Sequence, residues 1–154
     1  MKGRAYARGK ALGLVDLEQV DGVLMTAELK AAWVPMREAA ALSGLELIPT
    51  FGFRTMTEQT RLFEDRMDRD TDPPNERERK AQIRKVKGIA ARPGYSLHQS
   101  GRALDVRTGL TAAAFARGER TPAFLWLEAN AARFGWAVLR VRSEPWHLEL
   151  AGPD

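Results

Sequence analysis

Apolar residues recur at helical spacing in the stretch that follows Thr26. Thr26 is a suitable N-cap, Glu28 suits a first helical turn, and Gly44 is a suitable end. The pattern therefore predicts a helix here, with a kink or a later start at Pro35, which cannot donate an interior hydrogen bond. The apolar positions that define its buried face are Leu29, Trp33, Met36 and Ala40.

The next segment changes from helical spacing to a continuous apolar run. Residues 45–53 are typical of a buried strand, because they form a short apolar stretch after a glycine. A second helix is predicted from Thr57, with Leu62 and Phe63 facing inward. A helix therefore precedes this strand and another follows it.

Residues 64–88 are dense in charges of both signs and contain a Pro-Pro pair. The first part is predicted to be an exposed loop. Asn75 and Glu78 resemble a capping box that opens a short, solvated helix. We interpret the whole stretch as a charged surface insertion, because interleaved acids and bases are typical of a solvated surface.

The C-terminal half alternates short strands with one more helix. A strand is predicted over residues 103–107, a helix from Thr121 to Gly135, and an antiparallel pair of strands near residues 136–141 and 146–150. The apolar residues expected to pack this helix are Phe124, Leu125, Trp126 and Phe134. The order predicts an α+β domain with a central antiparallel sheet and flanking helices.

Composition limits the kinds of chemistry and partner. The 154 residues suit one domain spanning residues 1–154, and the absence of Cys excludes disulfides, thiolate zinc fingers and Cys nucleophiles. The net charge of +4 and the pI near 9.8 suit a polyanion such as nucleic acid or an anionic cell envelope. No nucleic-acid-binding motif accompanies the charge, and no apolar run is long enough for a membrane span. We therefore expect no nucleic-acid partner and no membrane span.

The two histidines of the chain both stand near carboxylates. Asp105 follows His98, while Glu144 and Glu149 flank His147. Two imidazoles and one carboxylate can hold a Zn²⁺ ion and leave a fourth position for water, as in catalytic zinc sites. The sequence therefore predicts a zinc centre to which both histidines contribute.

Breaks in the strands are needed to bring these groups together. The odd spacing of His98 and Asp105 would place them on opposite sides of one strand, so a bend is predicted at Gly101. Pro145 interrupts the last strand, which allows Glu144 to leave the strand and lie over the metal.

Alternation along the last strand separates a site face from a core face. Glu149 shares the side of His147 and could accept its second N–H, an arrangement that orients a ligand histidine. The side chains predicted on the opposite, core-facing side are Trp146, Leu148 and Leu150.

Three motifs of the chain resemble those of one family. PGYSLHQSGRALDV, residues 93–106, looks like the S-x-H-x-x-G-x-A-x-D motif of the VanY/VanX-type zinc D-Ala-D-Ala peptidases, and EPWHLE, residues 144–149, resembles their E-x-W-H-x-E motif. FGFRTMTEQTRLF, residues 51–63, is similar to their S-G-Y-R segment, with Phe51 and Phe53 in place of Ser and Tyr. The motifs follow the family's order and span about two-thirds of the chain.

The resemblance implies a role for each matching residue. Glu144 matches the catalytic carboxylate, and Arg54 matches the arginine that polarises the scissile carbonyl or steadies the oxyanion. The residues that match the zinc ligands are His98, Asp105 and His147. Those that match substrate-lining positions are Ser96, Gln59 and Arg54. The implied fold is a small α+β domain like that of the hedgehog signalling domain, and the implied substrates are D-Ala-containing peptidoglycan stem peptides.

The implied activity is first that of a zinc D,D-carboxypeptidase, which hydrolyses the terminal D-Ala of the stem peptide. The family's endopeptidases tend to carry Asp where this chain has Glu144, so Glu144 favours D-Ala-D-Ala cleavage. The basic N-terminus lacks the apolar core of a signal peptide, so we expect a chain that is cytoplasmic as synthesised and meets the wall when released or exported. We also expect a monomer. The lack of a signal-peptide pattern suits two alternatives, a phage-type endolysin and a D-Ala-D-Ala dipeptidase. A non-catalytic zinc-containing binding module is a third.

Overall fold

The computed structural model of the chain describes residues 1–68, 76, 77, 80, 81 and 91–152. The strands are β1 (Lys2–Ala7), β2 (Lys10–Val20), β3 (Val23–Thr26), β4 (Pro49–Phe51), β5 (Ala103–Val106), β6 (Trp136–Val138) and β7 (His147–Leu150). The longer helical elements are α1 (Ala27–Leu42), α2 (Met56–Asp68), α3 (Leu97–Ser100), α4 (Ala112–Ala116) and α5 (Pro122–Asn130), which a 3₁₀ turn (Ala131–Phe134) continues. Strands β1-β2-β3 form one antiparallel sheet, and β4-β5-β7-β6 form the predicted central one.

The core lies between α1 and one face of the four-stranded sheet. Leu104 of β5 and Leu148 of β7 are fully buried there, in one cluster with Leu29 and Trp33 of α1 and with Trp136 of β6. Burying an aliphatic or aromatic side chain of this kind stabilises a fold by about 1.5–3 kcal/mol. The opposite face of β5 and β7 is therefore left to carry polar side chains.

Helix α1 begins where the sequence predicts. The hydroxyl of Thr26 accepts the N–H of Leu29 at 3.2 Å, and the helix runs through Pro35 without a later start. The same hydroxyl donates to the carbonyl oxygen of Gly101 at 3.1 Å. The start of the main core helix is thereby fixed to the segment that leads into β5.

The N-terminal sheet, which the sequence analysis does not predict, consists of two hairpins with two-residue turns. Arg8 (φ 50°) and Gly9 (φ 78°) connect β1 to β2, and Asp21 (φ 49°) and Gly22 (φ 87°) connect β2 to β3. Positive φ at both central residues is the type I′ pattern, which favours Asn or Asp followed by Gly. The second turn follows this rule, whereas the first places an arginine in the left-handed region, at a cost of roughly 1–2 kcal/mol.

An Arg8→Asn variant should therefore be more stable than the wild-type chain. Asparagine tolerates the left-handed region, so the free energy of unfolding should rise by about 0.5–1 kcal/mol. Urea unfolding followed by circular dichroism measures this change. Lys10→Asn is the matched control, since Lys10 is one residue beyond the turn and is not among the residues with positive φ. An equal gain in both variants would contradict the argument.

The N-terminal sheet supports the segment that follows β4. Phe53 is buried against Ala5 and Leu17 of β1 and β2, and its N–H donates to the carbonyl oxygen of Leu24 at 2.7 Å. A Cβ at Gly52 would run into the same carbonyl oxygen, so glycine permits this close approach of the two backbones.

The predicted strands are longer than the observed ones. Strand β4 covers Pro49–Phe51 rather than residues 45–53, because only this part is paired with β5, although Leu47 is buried in the core. Strand β6 ends at Val138 and β7 begins at His147, since bends and turns occupy much of the chain between them. The core position predicted for Leu125 is wrong, because its side chain is 49% exposed.

Helix α2 begins one residue before the predicted start and continues to Asp68, so residues 64–68 are helical rather than an exposed loop. Leu62 and Phe63 are half-buried on it. The capping-box residues Asn75 and Glu78 lie outside the described residues, and the charged insertion at residues 64–88 stays a prediction. Within the described part of the chain, no helix is both long and apolar enough to cross a membrane.

Candidate metal centre

Three strands of the central sheet place their side chains in one row. Phe51 of β4 pairs with Asp105 of β5, and Asp105 pairs with His147 of β7. Residues that pair directly across strands point to the same face of a sheet. The row therefore projects from the face opposite to the paired core residues Leu104 and Leu148.

His98 reaches this face from the short helix α3. Ser96 caps the helix by accepting the N–H of His98 at 3.3 Å, and Gly101 ends it with a left-handed φ of 78°. A Cβ at Gly101 would also press on the methyl group of Thr26, 2.6 Å away. The predicted bend therefore lies at Gly101, although it ends a helix rather than interrupting a strand, and it brings β5 back past His98.

The three predicted ligands converge around one carboxylate oxygen. Nε2 of His98 lies 3.2 Å and Nδ1 of His147 lies 2.9 Å from Oδ1 of Asp105. Ligand atoms of the three residues all lie within 4.8 Å of one another, and both histidines are buried. This spacing suits three ligands around a single ion.

Each imidazole has its other nitrogen next to an acceptor. Nδ1 of His98 lies 2.8 Å from the carbonyl oxygen of Gly52, and Nε2 of His147 lies 3.1 Å from a carboxylate oxygen of Glu149. A carbonyl oxygen only accepts, so Nδ1 of His98 holds a hydrogen, whereas His147 lies between two carboxylates and can donate to either one according to its tautomer. When the hydrogen of each neutral ring is on the nitrogen facing Gly52 or Glu149, the nitrogens that face Asp105 present lone pairs to a metal ion. Three electron-rich atoms therefore meet at a position that suits a cation.

The pKa values of Asp105 and His147 also favour a positive charge at this position. Burial alone would raise the pKa of Asp105, but hydrogen bonds with His147 and His98 outweigh burial and lower this pKa to about 2. Burial alone would lower the pKa of His147, but the hydrogen bond to Asp105 and the charges of Asp105, Glu144 and Glu149 raise it. A positive charge, whether a proton or a metal ion, is therefore stabilised between these groups.

A tight turn places Glu144 beside the cluster. The N–H of His147 donates to the carbonyl oxygen of Glu144 at 3.1 Å, and Pro145 occupies the second position of this turn, which suits its fixed φ. One carboxylate oxygen of Glu144 lies 3.9 Å from Nδ1 of His147, and its side chain is 34% exposed. Glu144 is therefore close to the three converging residues but outside them.

Arg54 enters the site from the segment between β4 and α2. Its backbone N–H donates to the carbonyl oxygen of His98 at 3.0 Å, and its guanidinium donates through Nη1 to Oε1 of Gln59 at 2.8 Å. The amide nitrogen of Gln59 donates to the carbonyl oxygen of Ala91 at 2.6 Å. Burial lowers the pKa of Arg54, and the charges of Asp105 and two glutamates oppose this shift. The guanidinium of Arg54 is thus bonded to Gln59 and stays within the influence of the neighbouring carboxylate charges.

These groups line an open cavity of about 640 Å³. All the sequence-predicted site residues are on its wall: Arg54, Gln59, Ser96, His98, Asp105, Glu144 and His147. Ser96 and Gln59 are themselves buried and bond to His98 and Arg54, so the structure gives them positioning roles, and their contact with substrate stays a prediction. Trp146 is half-buried on the cavity wall, so its predicted place in the core is wrong. It precedes β7 and does not follow the alternation of that strand.

Sequence reasoning missed Gly52 and the position of Phe51. The carbonyl oxygen of Gly52 orients His98, and Phe51 shares the row of Asp105. The only local signal is a glycine between two phenylalanines, which marks a close backbone approach but does not say to what.

Solved structures share the fold of this chain. VanYB in complex with D-Alanine-D-Alanine has a TM-score of 0.71 at 22% identity, over 96% of this chain and 85% of that chain. A mutant of the vancomycin resistance D,D-pentapeptidase VanY in complex with Zn(II) has a TM-score of 0.64 at 23% identity, over 90% and 79%. The LdcB LD-carboxypeptidase has a TM-score of 0.67 at 26% identity, over 88% and 63%. These likenesses confirm the predicted α+β fold.

Curated relatives are matched over a smaller part of their length. The D-alanyl-D-alanine carboxypeptidase of Enterococcus faecium is 38% identical over 69 residues, which cover 38% of this chain and 21% of that protein. YodJ of Bacillus subtilis (strain 168) is 28% identical over 147 residues, which cover 88% of this chain and 49% of that protein. The chain thus spans about half or less of these relatives.

The sequence pattern of one family covers most of the chain. The pattern of the VanY family, described as D-alanyl-D-alanine carboxypeptidase, matches residues 22–153. This span contains the central sheet, α1 and every residue of the cluster around Asp105. The match agrees with the three motifs that the sequence analysis identifies. The chain belongs to the VanY family of D-alanyl-D-alanine carboxypeptidases.

Proposed function

We propose that this chain is a zinc-dependent D,D-carboxypeptidase that removes the terminal D-Ala from peptidoglycan stem peptides. The observation that carries the proposal is the convergence of His98, Asp105 and His147, with an acceptor beside the outer nitrogen of each ring, next to a partly exposed carboxylate and a guanidinium in one cavity. A site closed by a fourth protein ligand would suit a non-catalytic zinc module. Here Glu144 lies 3.9 Å from His147 and is partly exposed, which favours a catalytic role.

The three converging residues would hold the zinc ion. Two imidazole nitrogens and one carboxylate oxygen are a donor set that zinc prefers, and three protein ligands leave one position open. The solved VanY mutant in complex with Zn(II) supports the choice of metal. When bound, zinc supplies a water activated near neutral pH and polarises the scissile carbonyl.

Glu144 transfers the proton, and Arg54 stabilises the developing negative charge. The Glu144 carboxylate accepts the proton of the attacking water and returns it to the leaving amine of D-Ala, as a general base and then a general acid. The Arg54 guanidinium binds the carbonyl oxygen as negative charge develops on it, and its own charge is retained because arginine stays protonated. Gln59 and Ser96 hold Arg54 and His98 in place for these functions.

Two findings bear on which bond is cut. VanYB in complex with D-Alanine-D-Alanine supports a peptide ending in D-Ala-D-Ala, and Glu144 in place of Asp favours this over endopeptidase cleavage. The likeness to the LdcB LD-carboxypeptidase makes removal of D-Ala from a tetrapeptide stem a second candidate. The phage-type endolysin and the D-Ala-D-Ala dipeptidase stay open as alternatives. Each would give a different product.

Mass spectrometry of defined stem peptides distinguishes these activities. The zinc-loaded chain should release a single D-Ala from a pentapeptide, and a chelator should abolish the reaction until zinc is added back. Release of D-Ala-D-Ala, release of D-Ala from a tetrapeptide only, or scission after L-Ala would each replace the proposal with another peptidase. No product from any peptide at full zinc occupancy would instead favour a binding module.

An Arg54→Ala variant should lower kcat by roughly 10²–10³-fold, because the developing oxyanion loses its charged donor. Zinc content should not change, since Arg54 is not among the three converging residues. Steady-state kinetics with metal analysis measures both quantities. Arg61→Ala, on the exposed side of α2, is the matched control and should retain wild-type kcat. A variant that only melts at a lower temperature would show that Arg54 is structural.

A further inference from the structure

Phe51 occupies an unusual position for a large apolar side chain. It is the last residue of β4 and lies level with Asp105 on the site face of the sheet, yet it is 41% exposed. Its backbone position would place any side chain beside the cluster, so a core-packing role does not explain the ring. The corresponding position in the S-G-Y-R motif is a serine.

The ring of Phe51 lies against two site residues. The Cζ atom of Arg54 lies over the ring face, 4.4 Å from its centroid. The imidazole of His98 approaches edge-on, with the centroids 6.1 Å apart and the planes at 74°. The guanidinium therefore lies on a ring that is itself fixed by its place in the sheet.

This arrangement leaves the donors of Arg54 accessible. A guanidinium has two flat faces and five N–H groups that point outward in its plane. The ring of Phe51 attracts the cation through its own face, and Oε1 of Gln59 accepts an N–H at Nη1. Among the described residues, the bond to Gln59 is the one hydrogen bond of this guanidinium, so further N–H groups can serve an oxyanion.

We propose that Phe51 is a positioning residue for the Arg54 guanidinium, which it holds by a cation–π contact while Gln59 binds Nη1. The proposal rests on the proposed function, since it assigns Arg54 to the carbonyl oxygen of the substrate. It predicts that removing the ring affects the reaction through Arg54 alone.

Kinetics of three substitutions test this assignment in the zinc-loaded chain. Phe51→Leu should lower kcat about tenfold with little change in KM, because the apolar bulk remains but the ring face is lost. Phe51→Tyr keeps the ring and should stay within about twofold of the wild type. Phe51→Ser should be at least as impaired as Phe51→Leu, although it restores the residue of the family motif. A fully active serine variant would overturn the proposal.

A double-mutant cycle shows whether Phe51 acts through Arg54. In the Arg54→Ala background, Phe51→Leu should cause no further loss of kcat, since the group that it positions is gone. A full tenfold loss in both backgrounds would show that the ring has a different role and would overturn the proposal. Phe134→Leu is the matched control, because Phe134 also carries an arginine over its ring, Arg133 at 4.7 Å, but packs against the main core rather than beside His98. It should leave kcat unchanged.

Nuclear magnetic resonance gives a readout that does not depend on activity. The Arg54 Nε–H signal, assigned by its loss in Arg54→Ala, should be shifted by the ring current in the wild type and in Phe51→Tyr. The shift should disappear in Phe51→Leu and persist in Phe134→Leu, while zinc stoichiometry stays the same in all variants. If the wild type cleaves no peptide, the proposed function fails, and the contact of Phe51 with Arg54 is judged by this signal. An Arg54 signal that is insensitive to Phe51→Leu would overturn the positioning role.

Discussion

A Glu144→Gln variant is expected to bind zinc as the wild-type chain does and to lose nearly all peptidase activity. The glutamine side chain has the same shape and can occupy the same place 3.9 Å from His147, but it cannot accept and return a proton. General acid–base catalysis typically contributes 10²–10⁴-fold, so kcat should fall by about this factor. KM should change little, because the cavity wall is preserved.

The measurement is single D-Ala release from a pentapeptide, with zinc content determined on the same preparation. Glu128→Gln provides the matched control, since Glu128 is an exposed carboxylate on α5 that is not on the cavity wall. It should retain both zinc and kcat. If Glu144→Gln kept more than a tenth of the wild-type kcat, Glu144 would not be the general base.

A His98→Ala variant is expected to lose the metal. One imidazole and one carboxylate would remain of the three converging residues, and the carbonyl oxygen of Gly52 would lose its donor. Loss of an outer partner of a metal ligand commonly costs 10–100-fold in affinity. Loss of a ligand itself should cost at least roughly 100-fold, and activity should disappear with the ion.

Elemental analysis after dialysis, followed by titration against a zinc chelator, measures this loss. Ser100→Ala lies on the same helix α3 and removes only an exposed hydroxyl that donates to Leu97, so it should hold one zinc per chain. Stoichiometric zinc in His98→Ala would contradict the assignment of the ligands.

Local patterns predict the elements of this fold that depend on nearby residues. The helix that begins after Thr26 is recognisable because its cap and its apolar spacing act within a few turns. The N-terminal sheet was missed, because Arg8-Gly9 is an unfavourable hairpin turn and β2 buries few of its residues. Asp21-Gly22, which is a favourable type I′ pair, was the one signal that could have predicted a hairpin there.

The residues of the candidate site also divide into those that the local sequence predicts and those that depend on the path of the chain. His98, Asp105 and His147 could be predicted from the chemistry of their side chains and the motifs that surround them. The roles of Gly52 and Phe51 could not, because they depend on the pairing of β4 with β5 and on the backbone beside Leu24. Side-chain chemistry is visible in a sequence, whereas a carbonyl oxygen that orients a ligand becomes visible only with the chain path.

The row formed by Phe51, Asp105 and His147 limits how this domain can change its length. Insertion or deletion of one residue within β5 would exchange the two faces of that strand, so that Asp105 would turn toward the core and Leu104 toward the cavity. The residue count of β5 should therefore stay constant during divergence.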